Sequence, residues 1–376
     1  MSDLLDSILN EARKRGAQDA EVYQVVTEET PVRFEANRLK ELNSRQTAGV
    51  ALRVIVNGRI GFASSTRPGD IKDVVAAAVE TAPFGPEAKF SFPDEAEAAS
   101  VDTFDPASEG MSVDELIEIG QHLVDTVRRA EPELQCDASV RRATGTVTLA
   151  NSNGGRFTHR SSAVSVWLSG TLIRGTDMLF VGGADASCRP DLDRAAIEGD
   201  ILLQLERCKR NAETRTATMP VIFTSLGVAE ALLSPLLMAF NGRLILQGQS
   251  PLVDALGAEK YDTRLSIYDD GTLPMRVSSR PFDGEGVPSR RIPLVERGVV
   301  RSFMYDLQSA ALSGVASTGS AQRTLASQPA IGATSITVEP GETTFESMVS
   351  GLREGVIVEE LMGAGQGNVM GGDFSG

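Results

Sequence analysis

The sequence predicts an α+β fold in two domains, an α+β domain over residues 1–218 and a β-rich domain over residues 219–376. In the first part, helical and strand-like stretches follow in the order helix, strands, helix, strands. Beyond Pro220, Gly, Pro and Ser become denser and the strand-like runs shorten, which places the domain boundary near residue 218. With 376 residues, 41% of them hydrophobic, the chain can give each domain its own core.

The first half of the α+β domain begins with apolar residues at helical spacing, and Gly16 closes that helix. Strand-like runs follow over residues 21–27, 32–36, 51–56 and 59–63. The last two flank Asn57-Gly58, the strongest short hairpin signal in the sequence. Residues 68–79 then have the pattern of a helix that ends before Pro83.

A second set of elements repeats this order. Residues 83–108, rich in Pro, Ala, Ser and acids, are interpreted as a surface excursion or linker. The elements predicted after it are a helix over 112–130, strands over 136–140, 145–150 and 164–168, a turn at 151–155, and a helix over 191–210. The repeated order suggests that the domain is built from two related halves.

In the second domain, one long helical stretch over residues 226–241 is expected to pack against a sandwich- or barrel-like set of strands. The apolar run 221–240 contains Glu230 and Pro235, and we interpret it as a buried strand and helix, not a membrane span. Within it, the side chains of Leu232, Leu233, Leu236, Leu237 and Phe240 are expected in the core, and Pro235 is expected in a first helical turn or at a kink.

Composition excludes several functions. The net charge is −15 and no window gathers Lys and Arg into a stripe, which disfavours direct binding of nucleic acid. Three cysteines without paired spacing fit neither a disulfide framework nor a zinc knuckle, and indicate a reducing compartment. The first residues have no secretory signal pattern, so the expectation is a soluble, cytoplasmic protein that does not act at a membrane.

The best candidate site from the residues alone is a group of four carboxylates among turn-forming Gly and Pro residues: Asp269, Asp270, Asp283 and Glu285. Two acids held close together can share a proton or bind a hard cation. Alternatively, the three aspartates cap turns while Glu285 pairs with Arg290 or Arg291. Both interpretations remain open at this stage.

Two other features are weaker candidates. The glycine run 363–372, in which Gly363 and Gly365 could line a peptide-binding cleft, matches no nucleotide-binding motif. His122 and His159 have no metal-ligand spacing and are interpreted as structural or surface residues. A Ser-His-Asp arrangement is disfavoured because no nucleophile-elbow motif is present. The sequence therefore offers no catalytic residue with a clear role.

Motifs across almost the whole chain resemble those of the TldD/PmbA family, long called modulators of DNA gyrase. In the first half they are Gly49-Val-Ala-Leu-Arg53, Asn57-Gly-Arg-Ile-Gly61 and Asn151-Ser-Asn-Gly154. In the second half they are Asp283-Gly-Glu-Gly-Val-Pro-Ser-Arg-Arg291, Glu296-Arg-Gly298, Tyr305-Asp-Leu, Ser317-Thr-Gly319, Glu339-Pro-Gly341 and Val358-Glu-Glu-Leu-Met-Gly363.

This resemblance implies one of two related subunits that pair into a heterodimeric metallopeptidase. The TldD-like subunit carries a His-Glu-x-x-x-His helix that binds zinc, and the PmbA- or TldE-like subunit lacks the ligands. Here Ser234 and Ala239 stand at the two histidine positions and Pro235 at the glutamate position. Pro and Ala cannot ligate zinc and Ser is a poor ligand, so the chain resembles the zinc-less subunit. The resemblance also implies further strands beyond the match at residues 372–375, so the second domain is expected to lack the family's last strands.

The leading hypothesis is therefore a non-catalytic subunit that contains no zinc, lines the cleft and captures extended peptides through short strands. Its expected partner is a TldD-like zinc subunit that hydrolyses small or unfolded peptides, with a homodimer as the form in isolation. One alternative is a stand-alone hydrolase that uses the four carboxylates. Another is a homodimeric peptide-binding regulator without chemistry.

Overall fold

A seven-stranded antiparallel sheet dominates the first half of the chain in the computed structural model, which describes residues 2–67, 69–94, 97–213, 215–359 and 361. Its strands are β1 (Asp19–Glu35), β2 (Arg38–Leu42), β3 (Arg45–Val56), β4 (Arg59–Ser65), β5 (Gln135–Asn151), β6 (Arg156–Arg174) and β7 (Asp177–Ser187). They lie in the order β4-β3-β1-β5-β6-β7, with β2 also paired to β1. The central β1–β5 pairing joins the two sets of strands into one sheet.

The helices of this half are α1 (Ser2–Lys14), α2 (Ile71–Thr81), α3 (Pro106–Gly110), α4 (Val113–Ala130) and α5 (Arg194–Arg207). Two hydrophobic clusters hold them on one face of the sheet, with α1 and α2 in one cluster and α4 and α5 in the other. Ser112 and Glu115 begin α4 with a capping box. Gly120 lets α4 approach the sheet, because a Cβ there would lie 2.4 Å from the Phe34 ring. The opposite face of the sheet carries no helix among the described elements.

Several predicted elements agree with this architecture. The β3–β4 hairpin turns at Asn57 and Gly58, both with positive φ, as the Asn-Gly signal predicts. The runs predicted as separate strands at 21–27 and 32–36 are one continuous strand, β1, and those at 136–140 and 145–150 are β5. Each long strand pairs on both sides over most of its length, which explains why weak stretches between the apolar runs do not interrupt it.

The second half contains short elements. The strands are β8 (Val221–Phe223), β9 (Ile267–Asp270), β10 (Arg291–Glu296), β11 (Val299–Val300), β12 (Ala321–Gln322), β13 (Ala330–Ile331), β14 (Ile336–Val338) and β15 (Val356–Val358). They form a four-stranded antiparallel sheet, β11-β10-β9-β14, and two strand pairs, β12-β13 and the parallel β8-β15. The helices are α6 (Ser225–Gly227), α7 (Ser234–Ala239), α8 (Gly242–Leu246), α9 (Leu307–Ser313) and α10 (Phe345–Ser350).

The chain divides into two compact units, and each unit is built from three segments that are not contiguous in the sequence. The first comprises Met1–Glu87, Ser100–Glu213 and Leu273–Pro281, and the second Ala88–Ala99, Thr214–Thr272 and Phe282–Gly376. Part of the predicted excursion at 83–108 thus belongs to the second unit, and another part forms α3. The predicted fold class, α+β followed by a β-rich region, is confirmed. No helix in the described ranges combines the length and apolar character needed to cross a bilayer.

Candidate functional site

The four predicted carboxylates are all buried in the second unit. Asp269 and Asp270 are consecutive on β9, so their side chains point to opposite faces of the sheet. Asp269 Oδ1 accepts hydrogen bonds from the amides of Thr334 and Ser335 at 2.8 and 2.9 Å. Asp270 Oδ1 accepts from the amide and hydroxyl of Thr272. Each aspartate therefore fixes a separate piece of backbone, and the two do not form a proton-sharing dyad.

Asp283 holds the turn that follows it. Its Oδ1 accepts from the amides of Glu285 and Val287 at 2.8 and 3.0 Å, and its Oδ2 accepts from the amide of Ala321 at 3.0 Å. Glu285 Oε2 accepts from the amide of Leu307, the first residue of α9, at 2.7 Å. A carboxylate at a helix N-terminus satisfies an amide that has no partner within the helix.

Glu285 does not pair with either of its two predicted partners, Arg290 and Arg291. Arg290 donates to the carbonyl of Ser317, and Arg291 pairs with Glu339 and stacks over the ring of Tyr268. Glu285 instead lies at a helix N-terminus, because a buried amide there needs an acceptor more than a half-exposed guanidinium does. Within the described residues, no three His, Cys, Asp or Glu side chains converge as metal ligands.

The helix predicted to correspond to the family's zinc helix changes its geometry along its length. The predicted long helix over 226–241 consists of α6, a π-helical turn over Val228–Leu233, and α7. Pro235, predicted in a first helical turn or at a kink, lies in the first turn of α7 directly after the π-helical turn, where the helix departs from regular hydrogen bonding. Ser234 begins α7, and its side chain lies outside the described part of the structure.

The expectation of a deeply buried helix here is wrong in part. Phe240 and Ala239 are buried in the core of the second unit, while Leu233, Leu236 and Leu237 are half-buried and Leu232 is exposed. The short helix presents one face to the core and the other to the surface, which an almost uniformly apolar sequence cannot reveal. The zinc that the resemblance implies for the TldD-like subunit would not fit at these positions. The side chains of Pro235 and Ala239 offer no lone pair, and the methyl of Ala239 is packed in the core.

The two histidines are far from this helix in sequence and lie in the first unit. His122 is exposed and pairs with Glu198. His159 is half-buried on β6, and its Nε2 lies 3.0 Å from Thr103 Oγ1. Burial, together with the positive charge of Arg280, lowers the pKa of His159 from 6.5 to about 4.

This lowered pKa predicts a loss of stability in mild acid. The unfolded chain protonates His159 near pH 6.5 and the folded chain only near pH 4, so its contribution is present above pH 6.5 and is lost as the pH falls towards 4. We expect ~2–3 kcal/mol less free energy of unfolding at pH 4 from this residue. In urea titrations the wild type should therefore lose more stability than His159→Gln as the pH falls from 6.5 to 4. His122→Gln is the matched control, and an equal change in its pH profile would contradict the assignment.

The three cysteines are free thiols. Burial raises the pKa of Cys136 to about 11 and also raises that of Cys188, so both stay protonated and unreactive at neutral pH. The remaining predicted site residues, Gly363 and Gly365, lie outside the described residues. The arrangement of the four carboxylates as a whole binds backbone amides and fixes turns.

Two family models match the sequence. The model for PmbA/TldA metallopeptidase domain 1 matches residues 20–82, and the model for the PmbA/TldA metallopeptidase C-terminal domain matches residues 216–376. Together these matches span more than half of the chain, which therefore belongs to the PmbA/TldD family.

Individual relatives agree with this assignment. A metalloprotease of Methanothermobacter thermautotrophicus is 24% identical over 96% of this chain and 80% of its own length. Metalloprotease PmbA of Escherichia coli O157:H7 is 27% identical over 89% of this chain and 74% of its own.

Solved structures show the same fold. TldE from Thermococcus kodakarensis superimposes with a TM-score of 0.84 at 21% identity, covering 92% of this chain and 80% of its own. The structure of a proposed modulator of a DNA gyrase from Thermotoga maritima superimposes with a TM-score of 0.87 at 20% identity. The match covers 99% of this chain and 86% of that protein.

Proposed function

We propose that this chain is the non-catalytic, TldE-like subunit of a two-subunit zinc metallopeptidase that degrades small or unfolded peptides. The observation that carries the proposal is α7, where Pro235 fills the first turn and Ala239 is packed in the core. A zinc site needs three or four nitrogen, sulfur or carboxylate donors. No such group of donors is present among the described residues, so zinc would have to come from a partner with the His-Glu-x-x-x-His helix.

The carboxylates support a structural role for this chain within that assembly. Asp269, Asp270, Asp283 and Glu285 all accept backbone amides, and so they stabilise loops in place of acting on a substrate. Three free cysteines are compatible with work in the reducing cytoplasm. The burial of all four carboxylates argues against the stand-alone hydrolase, since a general base must be within reach of the substrate.

The test is reconstitution. The purified chain alone, a TldD-like partner alone and their mixture are assayed for bound zinc and for hydrolysis of an unfolded peptide. We expect no stoichiometric zinc and no hydrolysis from this chain, and activity only in the mixture. The matched control is a mixture in which the motif glutamate of the partner is replaced by glutamine, which should be inactive.

Two results would contradict the proposal. About one zinc per molecule of this chain, or peptidase activity of this chain that a chelator abolishes, would assign catalysis to it. Tight peptide binding by this chain, with no complex and no activity after mixing, would favour the homodimeric peptide-binding regulator. Size-exclusion chromatography of the mixture distinguishes a missing complex from an inactive one.

A further inference from the structure

The helix-free face of the large sheet carries an exposed apolar surface at its β5–β7 end. We call it the Trp167 face, and its large side chains are Trp167, Ile173, Met178 and Phe180, all exposed. The strand register places them on one face: Trp167 pairs with Ser139 and Ala184, and Phe180, Ile173 and Met178 lie four to six residues further along β6 and β7. An exposed apolar group of this kind usually marks an interaction site.

Small residues make this face shallow and accessible to another backbone. Around Trp167 it consists mainly of Ala, Gly, Ser and Thr, and a cavity of about 460 Å³ lies beside the indole. Four hydroxyls point from this face, and none of them bonds to another described residue: Ser139, Ser165, Ser169 and Thr171. Free hydroxyls that alternate with apolar groups suit a ligand in extended conformation, whose side chains and amides alternate in the same way.

One end of the face is cationic. Glu29 lies between Arg45 and Arg141, at 2.8 and 3.3 Å, so one carboxylate is shared by two guanidinium groups and the cluster has a net charge of +1. Arg141 pairs in register with Ser165, one residue pair beyond Trp167 on the same face. An additional carboxylate would therefore be bound beside the indole.

The two acids nearest to the Trp167 face do not compete for Arg141. Asp137 accepts the amide of Ala36. Asp185 accepts the amides of Ala186 and Asp193. The face thus has a local excess of positive charge at its Arg141 end, while Asp137 lies on the same face opposite Ser169, beyond Trp167, in a chain whose net charge is −15.

The dimensions favour a peptide over a second copy of the chain. From Ser165 to Ile173 the strand extends ~27 Å, the length of about eight extended residues. Three strands of this length present roughly 400 Å², whereas stable protein–protein interfaces bury about 800 Å² on each partner. A single extended peptide covers such a strip fully.

We propose that the Trp167 face binds the C-terminal segment of an apolar, extended peptide. The C-terminal carboxylate binds Arg141, the neighbouring apolar side chain packs on Trp167, and upstream apolar residues contact Phe180 and Ile173. This site lies entirely within the first unit and goes beyond the proposed function, because it needs neither zinc nor a partner subunit.

The test uses Trp167, which is the only tryptophan in the chain, as the reporter. The probe is the hexapeptide acetyl-Val-Thr-Val-Ser-Ala-Phe with a free C-terminal carboxylate, titrated into the full chain without partner. We expect the tryptophan emission to shift to shorter wavelength and saturate. The C-terminal amide of the same peptide should bind about tenfold more weakly, because the Arg141 contact is lost.

Two variants test the carboxylate contact at Arg141 and the apolar contact at Phe180 separately. Arg141→Gln should bind acid and amide equally, and Phe180→Ser should weaken both about tenfold. Leu256→Ser, which removes a 62% exposed leucine in the second unit, is the matched control and should bind like the wild type. An unchanged emission spectrum, or equal affinity of the unsubstituted chain for acid and amide, would overturn the proposal. So would a shift that depends on protein concentration without peptide, because then a second copy covers the face.

Discussion

Replacing Asp283 by alanine is expected to cost ~3–5 kcal/mol of unfolding free energy. The carboxylate accepts three backbone amides, from Glu285, Val287 and Ala321, and only 2% of the residue is exposed. Removing the acceptor leaves buried donors without partners, each costing about 1–3 kcal/mol, partly relieved by water or local movement. Chemical denaturation followed by circular dichroism would measure the loss.

Two further variants serve as controls for the loss of stability in Asp283→Ala. Asp283→Asn keeps one acceptor oxygen and should lie between the wild type and Asp283→Ala. Asp262→Ala removes an exposed carboxylate whose partner among the described residues is its neighbour Arg264, and it should leave the denaturation midpoint near the wild-type value. If Asp283→Asn were as stable as the wild type while the reconstituted peptidase lost all turnover, Asp283 would have a chemical role and the scaffold interpretation would be wrong.

The second large effect is expected at Phe240, directly after α7. Its side chain is fully buried and packs against Phe303 with ring centroids 6.1 Å apart. Truncation to alanine removes this contact and leaves a cavity, which typically costs ~3–5 kcal/mol. The measurement is again the free energy of unfolding in denaturant.

Met238, two residues earlier, is the control because 40% of it is exposed. Met238→Ala should cost well under half of the Phe240→Ala value, since 40% of the residue is already in contact with water and less apolar area is lost from the core. Similar losses for both variants would mean that the whole segment is buried, as its apolar sequence alone suggested. The comparison thus tests the half-buried placement of α7 directly.

Local signals in the sequence predicted the elements that depend on local chemistry. Asn57-Gly58 predicted the β3–β4 hairpin because few residue pairs adopt two successive positive φ angles. Ser112 and Glu115 mark the start of α4 through a reciprocal cap. Pro235 was correctly expected in a first helical turn.

The site was harder to predict. The four carboxylates were recognised as a group, but the choice between chemistry and capping depends on amides such as that of Ala321, which is 38 residues away from Asp283. The Trp167 face was not recognised at all. Its signal was the alternation of small and apolar residues along β6, which indicates a strand but does not reveal which face stays uncovered.

The sequence by itself determined the family and the fold class, and it predicted that Ser234, Pro235 and Ala239 stand at the positions of the zinc motif, because each of these depends on residue identity. Only the tertiary structure decided which amides the buried acids bind, which side of α7 faces the core, and that Trp167 stays exposed beside Arg141. These features arise from contacts between residues distant in the chain, and a linear pattern carries no information about such pairings.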